Sequence, residues 1–494
     1  MRSHKRTLAA VCLAALLPVF AGGCSMAPKY VQPAPPLPAE WTSGGAAQSA
    51  PGAKAQDWRQ VIADEPMKRL VELALANNRD LRVAALKIEK AQAQYQIQRA
   101  DLFPKINATA GADLSRSPAK LSGTGKPVTS HAYTVGLGFS SFELDLFGRI
   151  QSLKDEALET YLATEASRKS VELSLVAEVA TAYLTLAADR EQLSLAKEIL
   201  ETEQASYDIV KYRFEFGVAN ELDLSQAQTT VDTARVNVAT YTAKVTADEN
   251  NLSVLVGMPL SAELTPAQSL ADVAQLNPVP AGLPSEVLTR RPDVLAAEHQ
   301  LKAANADIGA ARARYFPSIG ITANYGFGSN EINDLFKSAS GMWAFTPQLS
   351  LPIFHFGAIR AGVKASEAER NIMVAQYEKA IQTAFREVSD ALAQGASLAA
   401  QVEAQTSLTK ATGKSYELST LRYENGVDSY LTKLDSQRSF ASSRQNLITA
   451  RLLRLTNTLT LYKALGGGWS DEQDKPIAEA EKPTQGSSEI AQAK

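Results

Sequence analysis

The sequence predicts a mainly α-helical chain with a β-barrel part, built from two copies of one half. Three observations carry that expectation. A set of landmarks recurs at nearly constant spacing, two helical runs are exceptionally long, and four segments alternate apolar and small polar residues.

The repeat comes first, because every later element is read against it. Asp80 to Pro104, ending Leu102-Phe103-Pro104, matches Asp293 to Pro317, ending Tyr315-Phe316-Pro317, at an offset of 213. Phe147-Gly148 matches Phe356-Gly357, Arg213 to Val218 matches Arg422 to Val427, and Val256-Gly257 matches Leu465-Gly466, all at an offset of 209. A period above 200 residues is far too long for a solenoid, so the chain is a duplicated half. The halves read as 57–257 and 290–470, joined by a Pro-rich, irregular linker over 258–289.

Each half then carries a long helix. Residues 149–216 contain no Gly or Pro, and 358–425 contain no Pro and only Gly362, Gly395 and Gly413. These runs predict helices over about 148–216 and 357–425, each about 100 Å long at 1.5 Å per residue. Gly217 and Gly426 follow as turns, and second helices are expected over 218–256 and 427–465. In the first of these, Leu224, Ala227, Val231, Ala234, Val238, Tyr241, Val245, Asp248, Leu252 and Leu255 follow spacings of three and four. Nine of the ten are apolar, the mark of a coiled-coil seam, so each half folds into an antiparallel helical hairpin.

Strands are expected at about 105–115, 132–144, 318–328 and 343–353. Tyr133, Val135, Leu137 and Phe139 alternate with Thr134, Gly136, Gly138 and Ser140, and Ile319 to Phe327 and Trp343 to Leu351 behave alike. One apolar and one small polar face suit a transmembrane barrel with lipid outside and water inside, although a soluble sheet with one wet face shows the same pattern. Four strands cannot close a barrel, and lipid tolerates no open edge, so chains must pool strands. Two chains would supply eight strands and three would supply twelve. Loops 115–132 and 329–342 would then be the cell-surface tips, with the helices on the periplasmic side.

The N-terminus predicts export. Arg2, Lys5 and Arg6 precede an apolar stretch from Leu8 to Phe20, too short to span a bilayer, and Ala21-Gly22-Gly23 leads into Cys24. This resembles a bacterial lipoprotein signal over 1–23, with Cys24 lipidated and Ser25 directing export to the outer membrane. Cleavage there removes three basic residues and no acidic one, taking the formal charge from −3 to −6. A single acyl anchor is marginal, so a second membrane contact is needed, and the strands supply it. Residues 24–56 read as an extended lipid-anchored segment and 471–494 as a disordered tail.

Composition narrows the function. Both cysteines, Cys12 and Cys24, lie at the N-terminus, so the body has no thiol nucleophile, disulfide or Cys-based metal site. His131, His299 and His355 are far apart, and the carboxylates and serines form no recognisable catalytic constellation, so no enzyme is expected. No basic block is present, which argues against nucleic acid.

The segment Leu288-Thr289-Arg290-Arg291-Pro292-Asp293-Val294, continued by Ala303-Ala304-Asn305, Ile308-Gly309 and Tyr315-Phe316-Pro317-Ser318, resembles the signature of outer-membrane efflux proteins. Phe142 to Arg149 and Leu351-Pro352-Ile353-Phe354 do so too. The resemblance is to the lipoprotein branch, of OprM/NodT type, of the TolC-like outer membrane factors, and it covers about residues 24–470. It implies a homotrimer with a twelve-strand barrel continued by a periplasmic helical tunnel. It also implies a periplasmic adaptor (membrane fusion) protein and an inner-membrane resistance-nodulation-division pump as partners, and no cofactor. The function it implies is a passive gated exit duct for small molecules such as drugs. The same duct serving metal-ion efflux or protein secretion, or a non-conducting structural lipoprotein, are the alternatives.

Control is expected at the hairpin ends. Asp428, Leu431 and Asp435 are spaced three and four, which places them on one helix face. In a trimer a leucine ring would block the hole and an aspartate ring would bind cations; family gates resemble the pairing at Leu431 and Asp435. Arg213, Arg422 and Tyr423 sit in the last turns of the long helices. The arginines fit either a dipole role or an ion pair, such as Arg422 with Asp223 of a neighbouring hairpin, that latches the mouth. In family terms Gly217, Val218, Gly426 and Val427 receive the adaptor.

Overall fold

The computed structural model describes residues 25–34, 36, 56–123, 125–266, 270, 276–279 and 288–467. The expected signal peptide, Cys24, most of the N-terminal segment and the C-terminal tail lie outside them.

The helices are α1 (Trp58–Val61), α2 (Glu65–Asn77), α3 (Arg79–Ala100), α4 (Arg149–Glu215), α5 (Glu221–Val256), α6 (Pro292–Ala313), α7 (Ala358–Glu424) and α8 (Tyr430–Ala464). The strands are β1 (Asn107–Ser117), β2 (Val128–Leu144), β3 (Ser318–Ser329) and β4 (Gly341–Ser350). Duplication is visible in the lengths: α3 and α6 both have 22 residues, and α4 and α7 both have 67. Helices α5 and α8 begin three residues later than expected. Asn220 and Ser429 take extended backbone and cap them, their side chains accepting from the amides of Asp223 (2.8 Å) and Thr432 (3.3 Å). Strand β2 starts four residues earlier than expected and β4 stops at Ser350.

Two compact units make up the chain. The first contains residues 84–167 and 295–380 with the start of the chain, and holds the sheet. The sheet is antiparallel in the order β1-β2-β3-β4. Its register puts the alternation of all four strands in phase: Leu137 opposes Ala108 and Tyr325, and Tyr325 opposes Trp343. Directly opposed residues share a face, so the apolar series of the strands line one side. Leu137, Tyr325, Trp343, Phe345 and Leu349 are all exposed there, an apolar face with none of the other described residues covering these side chains. The opposite side carries Thr109, Thr134, Gly136, Asn324, Gly326, Thr346 and Gln348. A bulge between Phe139 and Phe142, with Ser141 at φ 56°, interrupts the β2–β3 ladder.

Where strand becomes helix, Arg149 forms a bidentate pair with Glu143 at 2.8 and 2.6 Å, and Phe147 stacks on Phe316 at 4.6 Å. The described start of the chain lies along α6 and α7. Asn305 donates to the Pro28 carbonyl at 2.8 Å, Tyr30 to Glu298 at 3.2 Å, and Gln32 to the Tyr377 hydroxyl at 3.0 Å. Gly309 is required at this crossing, since a Cβ there would sit 2.7 Å from the Ala27 amide nitrogen.

The second unit holds the main core, in which Met67, Leu70 and Val71 of α2 pack with Val179, Tyr183, Leu184 and Leu186 of α4 and Leu252 of α5. The apolar stretch of α4 is therefore core, although by composition alone it could cross a membrane. All ten seam positions of α5 are buried or half-buried, and at the single carboxylate among them burial, then neighbouring Asp189, pushes the Asp248 pKa up to about 6.

Candidate functional site

The site is built at the ends of the hairpins. Both long helices close with the same cap. Val218 and Ala219 donate to the Arg213 carbonyl (2.8 and 3.2 Å), and Val427 and Asp428 donate to the Arg422 carbonyl (2.9 and 3.4 Å). Gly217 and Gly426 provide the left-handed residue, at φ 73° and 74°. The expected turn glycines thus occupy equivalent positions, and Val218 and Val427 stand exposed beside them.

Asp428 departs from its expected place. Because Ser429 caps α8, Asp428 precedes the helix and lies in the turn, so it shares no helix face with Leu431 and Asp435. Its carboxylate accepts from Arg422 Nε and Nη2 at 2.7 and 2.9 Å, and the guanidinium holds its pKa below the usual carboxylate range. Within this chain Arg422 thus engages Asp428 of its own turn. Leu431 and Asp435, one helical turn apart, are both exposed, with Leu431 at 50%.

Arg213 and Tyr423 do meet. Arg213 Nη1 donates to the Tyr423 hydroxyl at 3.0 Å, and its guanidinium carbon is 5.4 Å from the ring centroid. Lys433 meets the same ring, with Nζ 5.5 Å from the Tyr423 centroid, and donates to Ser206 at 3.1 Å. Tyr423 also packs on Tyr430 at 5.6 Å, above buried Val210, Ala227 and Leu434. Residues of α4, α5, α7 and α8 are tied together here, so the two hairpins are pinned near their ends by one aromatic ring that contacts two cations.

Three members escaped sequence reasoning: Lys433, Tyr430 and Glu203. Glu203 is 5% exposed, with Oε2 lacking a hydrogen-bond partner among the described residues. Burial raises its pKa, against the opposing pull of Thr230, Lys433 and Arg438. Burial lowers that of Lys433 and pushes the Tyr430 hydroxyl up to about 12. A signal for Glu203 exists, because it stands seven residues from both Ala196 and Val210, two buried positions of the same helix.

No cluster of metal-ligating side chains occurs among the described residues. The geometry is that of paired hairpin ends with exposed apolar and acidic side chains beside them.

Comparison with known proteins agrees. The family model for outer membrane efflux protein matches residues 70–258 and 283–467. The chain is 49% identical over 455 residues to a probable efflux pump outer membrane protein, TtgC, of Pseudomonas putida, covering 91% of this chain and 94% of the relative. It is 40% identical over 458 residues to outer membrane protein OprJ of Pseudomonas aeruginosa, covering 93% and 96%. Among solved structures, the open state of the MtrE outer membrane channel of Neisseria gonorrhoeae superposes with a TM-score of 0.81 at 37% identity, covering 90% of this chain and 98% of that one. With the repeat, the sheet and both hairpins inside the matched regions, the chain belongs to the outer membrane efflux protein family: it is an outer-membrane efflux channel.

Proposed function

We propose that three copies of this chain form a passive, gated exit duct that opens and closes at the hairpin ends. The observation that carries this reading is the sheet. Its apolar face is continuous across four strands, and β1 and β4 each pair on one side only. An open edge is untenable in lipid, and twelve strands from three chains close the barrel while leaving a lumen.

Exposed Leu431 and Asp435 support a gate, because three copies around an axis would stack an apolar ring beside an acidic one. The leucines would obstruct the hole and the carboxylates would concentrate cations. The turns at Gly217, Val218, Gly426 and Val427 would receive a periplasmic adaptor, which couples the duct to an energised resistance-nodulation-division pump in the inner membrane. The relatives are named for efflux of toluene, solvents and antibiotics, which supports small, largely apolar cargo. Cys24 would carry the acyl anchor, and Cys24→Ala should abolish lipid labelling.

Single-channel conductance in a planar bilayer tests the gate. Low wild-type conductance that rises sharply in a Leu431→Ala, Asp435→Ala double variant is expected. Equal, large conductance in both would move the gate elsewhere. Silence from both, with insertion verified, would overturn the duct in favour of a structural lipoprotein.

A further inference from the structure

The β1–β2 hairpin ends away from the helices, since β1 begins shortly after α3 and β2 ends shortly before α4. In an outer-membrane channel with periplasmic helices, its tip faces the outside. The β2–β3 ladder stops at Tyr133, whereas β1 and β2 stay paired to Ser117 and Val128. A two-stranded ribbon therefore stands free beyond the four-stranded part.

On this ribbon the lipid-facing series changes character. Ala108, Ala110, Ala112 and Leu114 alternate outward along β1, and the next residue in that series is Arg116. His131 lies directly opposite Leu114 and so shares its face. Lys120 and Lys126 lie in the connecting loop, where Leu121 is 81% exposed. Between Leu114 and Phe142 the sequence contains no acidic residue. The other tip is different in kind: Lys337 is neutralised by Asp334 at 2.5 Å, and Glu331 stands nearby. A ribbon that carries cations and no acidic residue presents a positive field to an approaching anion.

We infer that the β1–β2 ribbon is a binding site for the phosphorylated glycolipid of the outer leaflet. Arg116, Lys120 and Lys126 take its phosphates, while Leu114 and Leu121 rest against acyl chain. The height is right, because the outward series passes from apolar to cationic where hydrocarbon gives way to headgroup. Arginine supplies forked donors suited to phosphate, and lysine supplies a point charge with a long apolar stem. The inference rests on the outward orientation of the strand ends and not on the gate.

Native mass spectrometry of the full-length protein in nonionic detergent tests it, titrating lipid A carrying both phosphates against enzymatically dephosphorylated lipid A. Wild type should bind the phosphorylated form roughly tenfold more tightly. An Arg116→Gln, Lys120→Gln, Lys126→Gln variant should lose that preference, and Lys337→Gln should keep it. An undiminished preference in the triple variant, or equal loss in Lys337→Gln, overturns the site. The same spectra report the oligomer mass. Should the triple variant fail to assemble, Lys120→Gln alone lies outside the ladder and should weaken the preference, and no weakening would overturn the site. Bilayer conductance of the triple variant should match wild type, which separates a failure here from a failure of the duct.

Discussion

Arg291 donates from Nη1 to the carbonyl oxygen of Ala464 at 2.7 Å, tying the start of α6 to the end of α8. The first repeat makes the same tie with different chemistry, as Asn78 donates to the Leu255 carbonyl at 2.8 Å while capping α3. Arg291 also bridges Asp293 (2.9 and 2.7 Å) and Glu387 (2.8 Å), and its side chain is 8% exposed. Replacing Arg291 with Ala leaves two carboxylates and a carbonyl without their donor. We expect a loss of about 2–3 kcal/mol, less than for fully buried partners because both carboxylates keep contact with water. Asn78→Ala should cost about 1 kcal/mol, the worth of a lost cap. Chemical denaturation of the two variants side by side measures the difference.

The turn glycines test backbone strain in isolation. A Cβ at Gly217 or Gly426 would meet no atom within 4 Å, yet both residues have φ above 70°. Each Gly→Ala substitution should therefore destabilise by about 1 kcal/mol through conformation alone. Asn, which tolerates left-handed backbone, should recover part of the loss in thermal melts.

Tyr423→Phe removes the hydroxyl that accepts from Arg213 and keeps the ring that Arg213 and Lys433 flank. The expected cost is about 1 kcal/mol. Arg213→Ala should cost more, since it loses the ring contact too. In a double-mutant cycle the pair should couple by about 0.5–1.5 kcal/mol, and additivity would show that the contact contributes nothing.

Glu156 on α4 predicts a pH dependence. Burial, then the neighbouring Asp307, raises its pKa from 4.5 to about 7. The fold thus holds the proton more tightly than the unfolded chain does. Its contribution is fully present below pH 4.5 and is lost as pH rises through 7. Glu156→Gln should flatten the fall in thermal midpoint across that interval by about 2–4 °C, after allowance for partial solvent screening. An unchanged slope would show that Glu156 is ionised in the fold at neutral pH.

Much of this architecture was legible because it is periodic. A repeat offset is preserved even when residues diverge, so α3 and α6 emerge with equal lengths from sequences that share few residues. Strand alternation and the α5 seam are likewise set by burial. What could not be read is set by competition between neighbours. Asp428 and Ser429 are both good capping residues, and Ser429 caps α8 while Arg422 holds Asp428 in the turn. The tie between Arg213 and Tyr423 joins residues 210 positions apart, and no spacing rule reports it. Glu203 was the readable omission, a carboxylate in the register of a buried stripe.

Gly136 and Gly326 oppose each other on the polar face of the sheet, so close that a Cβ on Gly136 would stand 2.9 Å from the Tyr325 carbonyl oxygen. At that point the two central strands present bare peptide groups, with Thr109 and Met342 opposite them on the outer strands. Bare main chain has little with which to prefer one solute over another, and the neighbouring Thr134 and Asn324 add only small neutral hydrogen-bonding groups. This patch of the sheet therefore offers no charged group to a solute, whereas charged and aromatic side chains converge at the hairpin ends.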